Sequence, residues 1–345
     1  MSTMHSKILE SVIELTNNSD IDSLDLSLLS TLAEYVPIKR IGIYLAFNAG
    51  HKRHVMLKVG LEIVDEKPNY RWSTCELVHE CDPLMMSCLQ YGSSMSGTND
   101  NGDTLIWMPV GSLDERTCLF IQTEKLSSEA ENLLNAFCRI YGNYIELITA
   151  SERDKLTGLY SRHSFESRLK FLLKMQSRIQ EELQRTISRR HHLDGDMPWL
   201  VIFDLDNFKA VNDSFGHLCG DEVLLTFAQK LKSFFRASDL VFRFGGEEFV
   251  LILEPTTKEH ALNRVEEFRE SISQTDFPLV GRMTVSGGMT AVSPNIFESV
   301  LLDHADKALY YAKENGRNAV YCYEELVAEE KLSAPGKIES DVQMF

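Results

Sequence analysis

The residues able to do chemistry gather in two short acidic stretches. Gly245-Gly246-Glu247-Glu248-Phe249 stands between two apolar runs, where a Gly-Gly pair makes a two-residue hairpin turn and leaves adjacent carboxylates at its tip. Bare backbone lets a phosphate approach the main chain, and carboxylate oxygens suit a hard cation such as Mg²⁺. The second stretch, Asp204-Leu205-Asp206-Asn207-Phe208-Lys209, follows the apolar run that starts at Trp199, so Asp204 stands where a strand gives way to a turn. If the two strands are neighbours, Asp204 and Glu247 converge on one ion or ion pair, an arrangement that holds a nucleoside triphosphate and stabilises attack at phosphorus. Read alone, the first stretch is a plain hairpin with exposed acids and the second is turn and capping chemistry.

Such chemistry needs cations placed locally, because the chain as a whole is acidic. Its 345 residues carry 35 Lys and Arg against 51 Asp and Glu, a formal charge of −16, which leaves no footprint for a long nucleic acid or an anionic membrane surface. Lys313 and Arg317 are four apart and share one face if a helix continues through Gly316.

The elements that must position these groups read as strand Trp199–Asp204, helix Asp221–Phe235, strands Leu240–Phe244 and Phe249–Leu253, helix Lys258–Ser273, strand Arg282–Val292, helix Asp303–Glu314 and strand Ala319–Tyr323. The first six give a βαββαβ order, which suggests an antiparallel sheet with helices against one face. Between Phe165 and Met197 lies a polar helix-like segment that ends in a turn at Asp194, Gly195 and Asp196. Earlier in the chain, helices are expected over about 5 to 16 and 26 to 36, the second capped by Asp25. Strands follow over Ile41–Phe47, Val55–Val64, Thr104–Val110 and Thr117–Gln122, with a polar loop over Ser93–Asp103. A long helix runs from Ser127 to about Arg153, opened by a capping box of Ser128 and Glu131. Its stripe Leu133, Phe137, Ile140, Tyr144 and Ile148 suits packing on its own domain and a dimer seam equally. The domain boundary falls where this helix meets Asp154.

Seven cysteines without paired Cys-x-x-Cys units point to buried thiols in a reducing compartment; Cys75, His79, Cys81 and Cys88 lie close together but fit no standard metal spacing. No apolar run approaches the roughly 20 residues of a membrane helix, and Glu10 and Glu14 interrupt the first apolar stretch, so the expectation is a cytoplasmic protein without a membrane partner.

The ordered set Asp154–Arg162 (DKLTGLYSR), Phe203–His217 (FDLDNFKAVNDSFGH), Gly220-Asp221-Glu222, the GGEEF turn, and Ala308–Asn318 (ALYYAKENGRN) resembles the GGDEF-family diguanylate cyclases, which condense two GTP into cyclic di-GMP and two pyrophosphates. The likeness covers roughly residues 151 to 325. Ser161 stands where the family commonly has Asn, and Glu247 replaces the Asp of the family name while keeping the carboxylate. The resemblance implies that Asp204, Glu247 and Glu248, with the Leu205 carbonyl, ligate Mg²⁺, for which Mn²⁺ can substitute. It implies that Glu248 lies close to the metal or the attacking 3′-hydroxyl, that Lys313, Arg317 and Lys209 meet the triphosphate, and that Phe208 and the main chain at Asn207, with Gly245 and Gly246, cradle phosphates. Asn212 and Asp221 match the guanine-reading pair; a carboxylate accepts from both N1–H and the exocyclic amine, a pattern adenine lacks. Otherwise they read as a turn Asn and a helix N-cap Asp. Arg236 and Asp239 fall in the register of the product-binding inhibitory site, where an arginine fork suits O6 and N7 of guanine.

The fold class implied is α+β in two domains: a GAF-like α/β sensor over 1–150 ending in a signalling helix, then a nucleotidyl-cyclase-like, palm-type βαββαβ domain over 151–325, with a tail over 326–345. A PAS-type first domain is the alternative. The reaction joins two nucleotides from two sites, so a homodimer is implied, with GTP as substrate and cyclic di-GMP as product and inhibitor. The competing reading is a non-catalytic receptor for GTP or cyclic di-GMP that signals through a protein partner; the intact acidic and basic set speaks against it.

Overall fold

Apolar spacing sorts the first part of the chain into helices around one antiparallel sheet. The computed structural model describes the chain apart from residues 1, 19, 50, 51, 65–68, 79, 111–116, 187–196, 237, 294, 295 and 333–345. It divides into two units, Met1–Glu152 with Ser177–Thr186, and Arg153–Gln176 with Ile187–Phe345. Among the described residues no helix is long and apolar enough to cross a membrane.

The first unit contains α1 (Ser2–Thr16), α2 (Ile21–Tyr35), β1 (Arg40–Ala49), β2 (Lys52–Val64), β3 (Asn69–Leu77), α3 (Pro83–Tyr91), β4 (Met95–Thr98), β5 (Thr104–Pro109), β6 (Thr117–Thr123) and α4 (Ser128–Ser151). The strand order is β3-β2-β1-β6-β5-β4, antiparallel throughout. Alternation sends Ile41 and Ile43 into a core with Leu28 and Leu32 of α2 and Phe137 and Tyr141 of α4, while Tyr44 and Ala46 join Met85 and Cys88 of α3. Three local expectations change. Asp20, not Asp25, caps α2, accepting from the Ser23 amide at 2.8 Å. Asp25 is buried within that helix, paired with Lys58 at 2.6 Å and accepting from the Tyr141 hydroxyl at 2.5 Å. Ser127 caps α4 in place of Ser128, and the loop over 93–103 contains β4. The α4 face that is fully buried runs Ala130, Leu134, Phe137, Tyr141, Ile145 and Thr149; Leu133, Ile140, Tyr144 and Ile148 flank it, half-buried against the same core.

The second unit contains β7 (Tyr160–Ser161), α5 (Arg162–Thr186) as far as Gln176, β8 (Met197–Leu205), α6 (Phe208–Phe215), α7 (His217–Phe234), β9 (Leu240–Gly245), β10 (Glu248–Thr256), α8 (Lys258–Ser273), β11 (Asp276–Phe277), β12 (Gly281–Arg282), β13 (Val285–Ala291), α9 (Glu298–Glu314), β14 (Val320–Cys322) and α10 (Tyr323–Ala328). Its main sheet has the order β14-β13-β8-β10-β9-β7. The four central strands are antiparallel, but β14 runs parallel to β13 and β7 parallel to β9.

Helices cover both faces, not one. From β8, Trp199, Val201, Phe203 and Leu205 pack under α6, α7 and α8, while Leu200 and Ile202 pack against Phe165 of α5 and Leu301, Ala305 and Leu309 of α9. The strand is an unbroken apolar run because both sides are covered, and period-two logic alone could not reveal the second layer. The expected turn at 194–196 lies outside the described residues, and the expected tail begins inside α10.

Among the described thiols Cys88, Cys118 and Cys322 are buried, Cys138 and Cys219 half-buried and Cys81 exposed. Burial pushes the Cys138 thiol up to about 12, and burial followed by the Glu324 carboxylate does the same to Cys322, so both are inert packing groups. His79 and the Cys75 side chain lie outside the described residues.

Candidate active site

Strand pairing brings the two acidic stretches together. Glu248 of β10 lies opposite Asp204 of β8, and Ser286 of β13 lies opposite Asp204 on the other side, so a polar row crosses one end of the sheet. Asp204 has the same parity as Leu200 and Ile202 and therefore faces the α9 layer. There Lys313, in the last turn of α9, places its Nζ 2.7 Å from Asp204 Oδ2. Burial pushes the Asp204 carboxyl up, against the pull of Lys313 and Arg317. Glu247 is half-buried at the tip; burial and the Asp204 charge raise its carboxyl too. The Leu205 amide donates to the Glu247 carbonyl at 3.4 Å, joining the strand end to the turn.

The turn differs in detail from the expected Gly-Gly. Gly245 ends β9 opposite Glu248, so Gly246 and Glu247 form the bend, with Gly246 at φ +25°. Arg243 holds it in shape: its Nε and Nη2 donate to the Gly246 carbonyl at 3.2 and 2.9 Å, and its Nη1 pairs with Asp154 at 3.1 Å. Asp154 also accepts from the Thr157 hydroxyl and amide. Sequence reasoning did not single out Arg243, whose only signal was a basic residue two places before the glycines.

Beyond Asp204, α6 begins at Phe208 after Asn207, which has φ +58° and makes no side-chain cap; the Ala210 amide donates to the Asn207 carbonyl at 2.9 Å, and the Phe208 and Lys209 amides are left without intrahelical partners. Phe208 itself is buried, so it anchors this turn rather than contacting solvent; Lys209 is exposed. Asn212 sits half-buried where α6 approaches α7, and any Cβ on Gly220 would overlap its carboxamide oxygen. Asp221 is exposed, one residue further along. It is not a cap: α7 begins at His217 after Gly216.

Lys313 and Arg317 do not share a helix face. The helix ends at Glu314, Gly316 has φ +106°, and the Arg317 amide donates to the Ala312 carbonyl at 3.0 Å, a Schellman-type ending that turns the chain back with exposed Arg317 at the bend. Arg236 is exposed, while both Asp239 oxygens accept backbone amides, from Arg236 at 2.9 Å and Glu254 at 3.0 Å. Burial raises the Asp239 carboxyl against those two amides.

Residues 151–319 match the family described as "Diguanylate cyclase, GGDEF domain". This segment is a GGDEF domain. Among relatives, diguanylate cyclase DgcP of Pseudomonas aeruginosa is 38% identical over 168 residues, 48% of this chain and 23% of its own length. Diguanylate cyclase DgcM of Escherichia coli is 45% identical over 175 residues, 51% of this chain and 39% of its own. The chain thus spans less than half the length of these two curated relatives. A solved structure of the diguanylate cyclase SiaD with its activator SiaC, from Pseudomonas aeruginosa, is 33% identical, covers 56% of this chain and 73% of that one, and has a TM-score of 0.42.

Among the described residues no three His, Cys, Asp or Glu side chains gather closely enough to hold a metal by themselves. The donor set is nevertheless of the right kind for a GGDEF domain's divalent ion. Asp204 is buried with Lys313 as its countercharge, and Glu247 feels its negative field. Mg²⁺ is typically held by one or two carboxylates plus substrate phosphates, which fits a pair left two or more donors short.

Proposed function

We propose that the chain is a diguanylate cyclase: the 3′-oxygen of one GTP attacks the α-phosphorus of another, pyrophosphate leaves, and the reciprocal step closes cyclic di-GMP. The observation that carries this reading is the Asp204–Glu248 register with Lys313 2.7 Å from Asp204, inside a segment that matches the GGDEF domain.

Asp204, Glu247 and Glu248, with the Leu205 carbonyl, hold Mg²⁺, or Mn²⁺ in its place. When bound, the ion neutralises the phosphates and lowers the pKa of the attacking hydroxyl. The chain's own residues do the positioning. Lys313 exchanges part of its contact with Asp204 for phosphate oxygens, Arg317 and Lys209 neutralise the remainder, and the free amides at the start of α6 orient the terminal phosphates. Gly245 and Gly246 leave the turn bare for close approach. Asn212 and Asp221 read the guanine edge. Arg236 and Asp239 bind product as a brake, with Asp239 serving chiefly to lock the loop that presents Arg236.

Each domain offers one nucleotide site, so the active species is a homodimer. The first unit, read as a GAF-like sensor, controls pairing through α4. GTP supply and reduced thiols suit a cytoplasmic location.

The test is turnover of the purified chain with GTP and Mg²⁺, following pyrophosphate and cyclic di-GMP, beside Glu247→Gln. The parent is expected to be active and the variant to lose on the order of 10²-fold, as for a lost metal ligand. Equal turnover by both refutes the role of Glu247; no product from the parent refutes the cyclase.

A further inference from the structure

A second aspartate, two residues beyond the metal-site candidate, has no role in the reading above. Asp206 is buried just past the end of β8. Its Oδ1 accepts from the Ser286 hydroxyl at 2.7 Å, and its Oδ2 accepts from the Thr284 hydroxyl at 2.7 Å and from the backbone amide of Asn318 at 3.0 Å. Its own amide donates to the Thr284 carbonyl at 3.0 Å. The residue is therefore fixed to β13 and its lead-in by three of these bonds, two of them on the carboxylate, which also presents an oxygen to the one amide that follows Arg317.

That amide belongs to a turn that needs holding. Gly316, Arg317 and Asn318 all have left-handed backbone, at φ +106°, +61° and +45°, and only the first is a glycine. L residues with a Cβ disfavour this region and persist there when their surroundings impose it. The impositions are visible on each side. The Arg317 amide is held by the Ala312 carbonyl, the Asn318 amide by Asp206, and the Asn318 carboxamide oxygen by Arg269 of α8 at 2.8 Å. Arg269 is in turn clamped by Glu266 at 2.6 Å, and Glu266 accepts from the Val320 amide at 3.2 Å.

We infer that Asp206 is a positioning residue: through the Asn318 amide it fixes the left-handed turn that aims Arg317 at the triphosphate, with Arg269 as the outer brace. The inference rests on the cyclase reading only for what Arg317 touches. Asp206 itself meets no substrate. Asp204 ends the α9-facing row of β8 while Asp206 lies just past the strand, so one serves the ligand and the other the turn.

The full chain tests this as a double-mutant cycle. KM and kcat for GTP are measured for the parent, Arg317→Ala, Asp206→Ala, the double variant and Asp206→Asn. Asp206→Ala is expected to raise KM about tenfold, with a smaller change in kcat, as Arg317→Ala does. The double variant should be no worse than Arg317→Ala alone, because the two act as one unit. Asp206→Asn keeps an oxygen for the Asn318 amide and should return KM to within about threefold of the parent. Losses that multiply in the double variant, or an unchanged KM in Asp206→Ala, overturn the inference.

If Asp206→Ala does not fold, Arg269→Ala, at a more exposed brace, reads the same coupling: a raised KM that vanishes in the Arg317→Ala background supports it, and an independent loss overturns it. If the parent makes no cyclic di-GMP, the cyclase reading fails by itself. Calorimetric titration of the same proteins with GTP then decides the positioning role, and affinity unaffected by Asp206→Ala ends it.

Discussion

Asp154 and Arg243 show how one ion pair can serve a site it does not touch. Arg243 uses one edge of its guanidinium for the Gly246 carbonyl and the other for Asp154, so the turn bearing Glu247 is tied to the first residues of the domain. Burial alone would raise the Asp154 carboxyl, but the Thr157 hydroxyl and amide and the Arg243 guanidinium together hold it below the usual 3.8. A carboxyl lowered in the folded state adds stability that is fully present above its unfolded pKa and is lost as pH falls through the folded one. Asp154→Asn should therefore lower the Tm at pH 7, and the gap to the parent should close as pH drops below about 4. Thermal unfolding of both proteins across that range checks the sign; a gap that widens in acid contradicts it. The candidate acidic residues were legible because the whole string GGEEF is rare by chance and bare backbone beside paired carboxylates suits few ends. Arg243 and Asp206 were not, because their work lies in bonds to backbone atoms, and nothing in a single sequence says which carbonyl or amide will stand opposite.

Elements were legible where one period ruled and hidden where two overlapped. Helix α8 came out at Lys258–Ser273 as expected, since one apolar face and a Thr257 cap mark both the side and the start. The short helix α6 was missed because a left-handed Asn207 begins it without a side-chain cap and Gly216 ends it after eight residues. The helices on the second face of the main sheet left no alternation to read. Their closeness has a checkable origin at Gly288 of β13, where an added Cβ would overlap the Ala305 carbonyl oxygen and the Leu309 nitrogen of α9. Those are backbone atoms and cannot swing aside. Gly288→Ala should thus cost about 3 kcal/mol or more, the upper range for overpacking, and push the end of α9 that carries Lys313 off Asp204. Denaturant unfolding of the variant reads the first effect; a loss under about 1 kcal/mol would mean that α9 sits further from the sheet than described.

For the whole molecule the proposed homodimer raises the question of what would join two copies. The α4 stripe was written for either of two uses, and the structure spends its centre on the core of the first unit: Phe137 is fully buried there, with Leu133, Ile140, Tyr144 and Ile148 along the flank. The outer face carries Asn132, Ala136, Arg139 and Asn143, which is too polar for a coiled-coil seam, but Leu147 is 65% exposed beside the half-buried Tyr144 and Ile140. A partner α4 can use that edge without unpacking the unit. On the cyclase reading proposed above, each copy supplies one nucleotide site and product formation requires the paired state. Specific activity should then fall as the chain is diluted through the dimer dissociation constant, in proportion to concentration well below it. Leu147→Lys, a change at an exposed position, should leave the Tm within a few degrees, as surface substitutions do, while moving that fall to higher protein concentration. Sedimentation and turnover measured on the same dilution series check both. A specific activity that stays flat while sedimentation passes from dimer to monomer rules out the pairing requirement, and an unshifted curve for Leu147→Lys moves the seam away from this edge of α4.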